Sequence, residues 1–175
     1  MDTTLQNVTI VFPHLFNKSK NSDNYDSAFI FDEGTDTHKN LEAAIDEAGQ
    51  KEWGDDWTAV KKSMKASNKY AIHSGDVKAD KYPEFEGRLY VNTKTKIAPK
   101  VVGRNAEPLS SENSPITDGS TVNAKVYVSA FSKKYGKFVS ATLLGVQFVD
   151  KGITIERGPD LGFKPLTNGS NADDL

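Results

Sequence analysis

Two segments of the chain alternate between apolar and polar residues with a period of two, a pattern that only a strand with one buried face can satisfy. In Arg88–Ile97 the even positions are Arg88, Tyr90, Asn92, Lys94 and Lys96, and the odd positions include Leu89, Val91 and Ile97. In Asn123–Lys133 the even positions Ala124, Val126, Val128 and Ala130 form the core face. The odd positions are Asn123, Lys125, Tyr127, Ser129, Phe131 and Lys133. Both strands therefore carry aromatic rings interleaved with cations on the side turned away from the core.

The remaining strands gather around these two. Val8–Phe12 is β-branched and ends at Pro13, which cannot donate to a ladder. Tyr25–Phe31 alternates again, and Phe138–Val149 returns from a Ser132–Gly136 hairpin turn as a strand apolar on both faces through much of its length. Between the second and third strands the period changes. Leu41, Ala44, Ile45 and Ala48 recur at helical spacing, which predicts a helix over 37–48 with Asp36 as its N-cap. Trp53, Trp57, Val60 and Met64 continue that spacing, and the two tryptophans read as the stripe that docks a helical insert at about 36–66. The segment 98–118, with three prolines, reads as a loop, mobile in part. Residues 1–165 read as one domain and 166–175 as a flexible polar, acidic tail. The sum is a mainly β fold of five to six strands, a small barrel with a helical insert.

Composition removes whole classes of chemistry. There is no cysteine among the 175 residues, which excludes disulfides, thiol catalysis and cysteine-held metals and fits a reducing compartment. No apolar run approaches the roughly 20 residues that span a bilayer, and no secretory leader is evident. His14, His38 and His73 lack metal-ligand spacing, and neither a nucleophile elbow nor a phosphate-binding P-loop occurs. Asp76, Asp80, Glu84 and Glu86 are the one loose set of carboxylates that a metal-dependent nuclease would need. They fall on a turn-rich connection, where solvated acids are ordinary. We read the chain as having no catalytic residues, no metal and no cofactor.

Charge is divided along the chain. Residues 1–56 carry twelve Asp/Glu against four Lys/Arg, whereas residues 60–104 carry eleven Lys/Arg against four Asp/Glu. Residues 119–149 hold Lys125, Lys133, Lys134 and Lys137 and no acid. A basic face bearing rings is what single-stranded nucleic acid requires, since bases stack on exposed rings and lysines follow the phosphates. Two other readings remain open: the helical insert covers the rings, or the face is a protein interface of a scaffold module, where aromatics and Arg are also enriched.

Several blocks, in order, resemble the small bacteriophage single-stranded DNA-binding proteins built on one OB-fold. They are Phe12–Phe16, Tyr25–Phe31, Leu41–Ile45, Ser74–Asp76, Gly87–Asn92, Val122–Phe131 and Val139–Val149. The resemblance implies a five-stranded OB barrel that binds single-stranded DNA without sequence preference in phage replication and recombination, with no enzymatic activity. It implies Tyr90, Tyr127 and Phe131 as stacking platforms. Arg88, Lys94, Lys96 and Lys125 would contact phosphates, with Lys133, Lys134 and Lys137 extending the groove. It further implies residence in the host cytoplasm, leaves open a homodimer and contacts with replication or recombination proteins, and implies no membrane association. Relatives commonly end in a strongly acidic tail with a hydrophobic terminus; here only Asp173 and Asp174 precede Leu175.

Overall fold

The structure, a computed structural model, describes residues 1–158 and 161–166. The expected tail therefore lies almost wholly outside the described residues. Seven strands form: β1 (Asp2–Val11), β2 (Tyr25–Phe31), β3 (Ile72–Ser74), β4 (Leu89–Thr95), β5 (Lys100–Val102), β6 (Thr121–Lys133) and β7 (Gly136–Asp150). Two helices, α1 (Asp36–Trp53) and α2 (Trp57–Ala66), stand between β2 and β3 as the spacing predicts.

The sheet runs β3-β4-β2-β1-β6-β7-β5, and a parallel pairing of β4 with β7 at Lys94 and Thr142 bends it back on itself. Five strands thus close into a ring, β1-β2-β4-β7-β6, with β3 and β5 as short additions. This is an OB barrel, and closure protects the edges that an open sheet would expose.

β1 begins six residues before the Val8 expected from sequence. Asn7 adopts a positive φ of 53° and donates its N–H to Asn123 Oδ1 at 3.0 Å. The pairing with β6 shifts register between Leu5 and Val8, both fully buried. A bulge there breaks the period of two, so the strand's first half does not alternate in sequence. The proline-rich segment likewise contains a strand: β5 pairs in parallel with Gly145–Gln147 of β7.

The helix cap also differs from the sequence reading. Thr35, not Asp36, is the N-cap, its Oγ1 accepting from the His38 N–H at 3.3 Å, and Asp36 is the first helical residue. Leu41, Ala44, Ile45 and Ala48 are buried and pack α1 against β1 and β6. Thr37 Oγ1 ties the helix to the bulge of β1, accepting from Gln6 N–H and donating to Gln6 O.

The tryptophans dock the insert. Trp57 is buried, stacks on Trp53 at 5.7 Å and donates from Nε1 to Asp46 Oδ1 at 3.0 Å. Trp53 donates from its own Nε1 to Ser132 Oγ at 2.9 Å, on the β6–β7 hairpin.

A second, smaller core lies outside the ring. Val11, Ala28, Ile30 and Tyr90 project outward from β1, β2 and β4 and are covered by Phe85, from a connection that makes two 3-10 turns at Gly75–Val77 and Pro83–Phe85. Ile155 packs on the same patch, and Arg157 sits 4.2 Å from the Phe12 ring centre while pairing with Asp118 and with Glu84 at 2.8 Å.

The insert's docking has a direct test. A Cβ on Gly49 would stand 2.4 Å from the Trp57 ring. Gly49→Ala should therefore destabilise the fold by about 1–3 kcal/mol despite its better helix propensity, measured by denaturant unfolding.

Candidate nucleic-acid interface

The β6–β7 hairpin is long and turns through two residues, Lys134 and Tyr135, between the paired Lys133 and Gly136. Phe131 and Phe138 face each other across the ladder with their rings stacked 5.6 Å apart. Tyr135 meets Phe138 edge-on at 5.5 Å and is 73% exposed. Lys133 Nζ lies 5.4 Å over the Phe131 ring. Three rings and three lysines, Lys133, Lys134 and Lys137, are thus concentrated on one projecting element.

This hairpin forms one wall of a groove of about 650 Å³ across the outer faces of β2 and β4. Phe131, Lys133 and Phe138 line that wall; Asp26, Asn92 and Lys94 lie across from them, and Lys69, Tyr70 and His73 come from the segment after α2. Phe12 belongs to the same lining. The arrangement offers ring faces for stacking and ammonium groups for phosphates within one cleft.

The expected site residues divide by position. Lys94, Phe131 and Lys133 line the groove, and Lys134 and Lys137 are exposed on the hairpin above it. Lys96 is exposed just past the end of β4, with Nζ donating to Asp23 O at 3.1 Å. Arg88 sits at the opposite end of that strand, where its Nε donates to Asp32 Oδ1 at 2.7 Å and its Nη1 reaches Thr9. Its charge is already neutralised by a neighbour.

Tyr90 departs most from its expected role as an open platform, being only 4% exposed. Alternation does turn it outward, but the connection 75–88 folds back over it. Phe85 meets its ring edge-on at 5.0 Å, His73 stacks on it at 5.0 Å, and Lys78 Nζ lies 4.8 Å away. Lys125 and Tyr127 are exposed, yet they face other clefts. Lys125 lies beside Thr4, Lys100 and Gly145, and Tyr127 beside Ala48 and Lys51 of α1. β6 is 13 residues long, and its twist carries positions on one alternating set to different sides of the barrel.

Sequence reasoning missed Phe138, Tyr135, Lys69, Tyr70 and His73. Phe138 begins a run apolar on both faces, so alternation assigns it to neither. The pairing register with Phe131 is what distinguishes it. Tyr70 and His73 reach the groove only because the insert returns beside β4.

Electrostatics around the insert are settled by local pairs. Burial pushes the Glu42 carboxyl up, but hydrogen bonds from Lys61 and Tyr70 and the charges of Lys61 and Lys65 outweigh it and hold the group below its usual range. Burial, and then the Glu42 carboxylate, push the Tyr70 phenol up, so it remains a donor. Burial, together with the charge of Lys78, holds His73 below its ordinary value, leaving a neutral ring at neutral pH.

The four carboxylates of the nuclease alternative do not converge. Asp76 accepts from the Gly87 N–H at 2.8 Å and Glu84 pairs with Arg157. No group of three or more potential metal ligands occurs among the described residues.

The family model described as Enterobacter phage Enc34, ssDNA-binding protein, matches residues 1–160. The chain belongs to this family. A curated relative, putative protein p50 of Acyrthosiphon pisum secondary endosymbiont phage 1, is 31% identical over 159 residues, covering 87% of this chain and 85% of the relative. The structure of the single-stranded DNA-binding protein from bacteriophage Enc34 with a C-terminal truncation is 26% identical, with a TM-score of 0.66 over 88% of each chain. The fold also matches that of gp2.5, a single-stranded DNA-binding protein of bacteriophage T7, at 12% identity and a TM-score of 0.59, covering 95% of this chain and 99% of that one. Within the family fold, the groove of this chain lies where β2 and β4 turn their outer faces toward the hairpin.

Because its ring is enclosed, Tyr90 should behave as a core residue. Tyr90→Ala is expected to cost about 3–5 kcal/mol in denaturant unfolding, the range of a buried aromatic truncation, whereas Tyr90→Phe should unfold near the parent.

Proposed function

We propose that the chain binds single-stranded DNA without sequence preference along the groove between the β6–β7 hairpin and the outer faces of β2 and β4, serving phage DNA replication and recombination. The observation that carries this reading is the stacked Phe131–Phe138 pair with Lys133 over it and Lys94 across from it. Rings of this kind accept the π-face of any base, and lysines contact phosphates, which are the same at every nucleotide. Membership of a family described by single-stranded DNA binding supports the same reading. It acts by binding and protection rather than by chemistry, in the cytoplasm of the infected cell. No described helix is long and apolar enough to cross a membrane.

Within the groove we assign stacking to Phe131 and Phe138, joined by Tyr135 at the hairpin tip. Phosphate contacts fall to Lys94, Lys133, Lys134 and Lys137, with Lys69 added and Lys96 at the groove's far end. Lys125 and Tyr127 lie off this track, and Arg88 and the ring of Tyr90 serve the fold.

Titration of a labelled dT oligomer of about 30 nucleotides, beside a duplex of equal length, tests the reading. Tight single-strand binding that weakens with salt and exceeds duplex binding is the expected result; no binding at low salt overturns it. Phe131→Ala should weaken binding by about 1–3 kcal/mol with little change in salt slope. Lys133→Ala should lower the slope by about 0.7, the single-strand value for one phosphate contact. Tyr127→Ala should bind like the parent; a loss equal to that of Phe131→Ala would move the track onto the other face of the barrel.

A further inference from the structure

A second cleft, of about 780 Å³, opens between the helical insert and the segment from β3 through the first 3-10 turn. It shares Tyr70 and His73 with the groove, so the two are neighbours. We propose that this cleft is a second subsite for the same single-stranded DNA, receiving unstacked bases from nucleotides that run on from the groove past Tyr70 and His73. The inference rests on the DNA-binding reading of the groove.

Two observations point to a ligand there. Tyr90, which is 96% buried, lines the cleft, and its hydroxyl makes no hydrogen bond among the described residues although it is not sealed from solvent. At the rim, Val77 is 77% exposed, an apolar side chain beside a polar opening.

The chemistry of the lining favours bases over phosphates. Lys39 and Lys65 are balanced by Glu33 and Glu42, and Glu42 is itself engaged by Lys61 and the Tyr70 hydroxyl. His73 is neutral at neutral pH, because burial and Lys78 disfavour its charged form. The remaining groups that can meet a base edge are Asn68, Ser74 and the Tyr90 hydroxyl. The two cations and two anions of the lining match in number, Lys78 stands against Tyr90, and the neutral donors, acceptors and ring faces suit an unstacked base.

The chain has no cysteine, so Val77→Cys provides a unique site for a benzophenone label, and Thr58→Cys, exposed on α2, provides a control. Each labelled protein is irradiated with dT oligomers of about 4 and about 16 nucleotides, the span of OB-fold site sizes, after binding is confirmed by anisotropy. The label at position 77 is expected to capture the longer oligomer and not the shorter one, and the label at position 58 neither. A bound longer oligomer that never cross-links at position 77 overturns the proposal.

A second measurement uses Lys39→Glu/Asn68→Gly, which changes two exposed residues of the cleft that lie outside the groove; glycine suits the positive φ of 58° at Asn68. Affinity for the longer oligomer should fall about tenfold while that for the shorter one is unchanged. Equal affinity of variant and parent for the longer oligomer, or an equal loss for both lengths, overturns the second subsite. If the parent binds neither length, it is the groove reading that fails.

Discussion

The contact on which the molecule depends is the parallel meeting of β4 and β7 at Lys94 and Thr142. It is the shortest pairing in the ring, yet it converts an open sheet into a barrel. The same contact brings Lys94 beside the stem of the β6–β7 hairpin. Without closure, β4 and the hairpin would be the two ends of a sheet, and their side chains could not share a cleft. The barrel's topology and its groove are therefore consequences of one juxtaposition. The extensive antiparallel β6–β7 ladder supplies the stiffness that a one-residue pairing lacks.

The outer face of β1, β2 and β4 is divided between packing and recognition. Toward the Arg88 end it is a core in its own right, with Phe85, Tyr82 and Ile155 laid over Val11, Ile30 and Tyr90. The covering connection approaches closely. Gly75 lies so near the Phe85 carbonyl that a Cβ there would be 2.0 Å from the oxygen. Toward the other end, no described residue covers Asn92 and Lys94, and the same face becomes the groove floor. Apolar outward residues mark the covered half and polar ones the open half, so the sequence of a single strand, Leu89–Thr95, encodes the boundary.

That boundary explains which parts of the site were legible in sequence. Period-two alternation is a local property, and it identified the strands, the buried faces of β4 and β6, and the outward direction of Tyr90, Lys94 and Phe131. Helical spacing located the insert within a residue or two and its tryptophan stripe. Alternation says only which way a side chain points, not what lies above it. Tyr90 points outward into Phe85, supplied from a turn-rich connection with no periodicity of its own. Arg88 points outward to Asp32, which is 56 residues away in the chain. The β1 bulge at Asn7 was hidden for a related reason, since a left-handed residue interrupts the alternation by which a strand is recognised. Alternation assigns Phe138 to neither face because the strand is apolar on both, and its half-buried place in the groove emerges only from pairing with Phe131.

The hairpin's rings have value for binding only if they are held in place, because ordering them during association would consume part of the stacking energy. The structure fixes them from two sides. Within the hairpin, Phe131, Phe138 and Tyr135 pack on one another, so each ring restricts the next. From outside, Trp53 donates to Ser132, and Trp53 is itself stacked on the buried Trp57. The helical insert thus reaches the groove by bracing the element that bears the rings, not by covering them. Tryptophans that in isolation resemble a stacking site are instead its support. This division of labour accounts for the paired tryptophans of an insert on a barrel whose groove rings lie elsewhere.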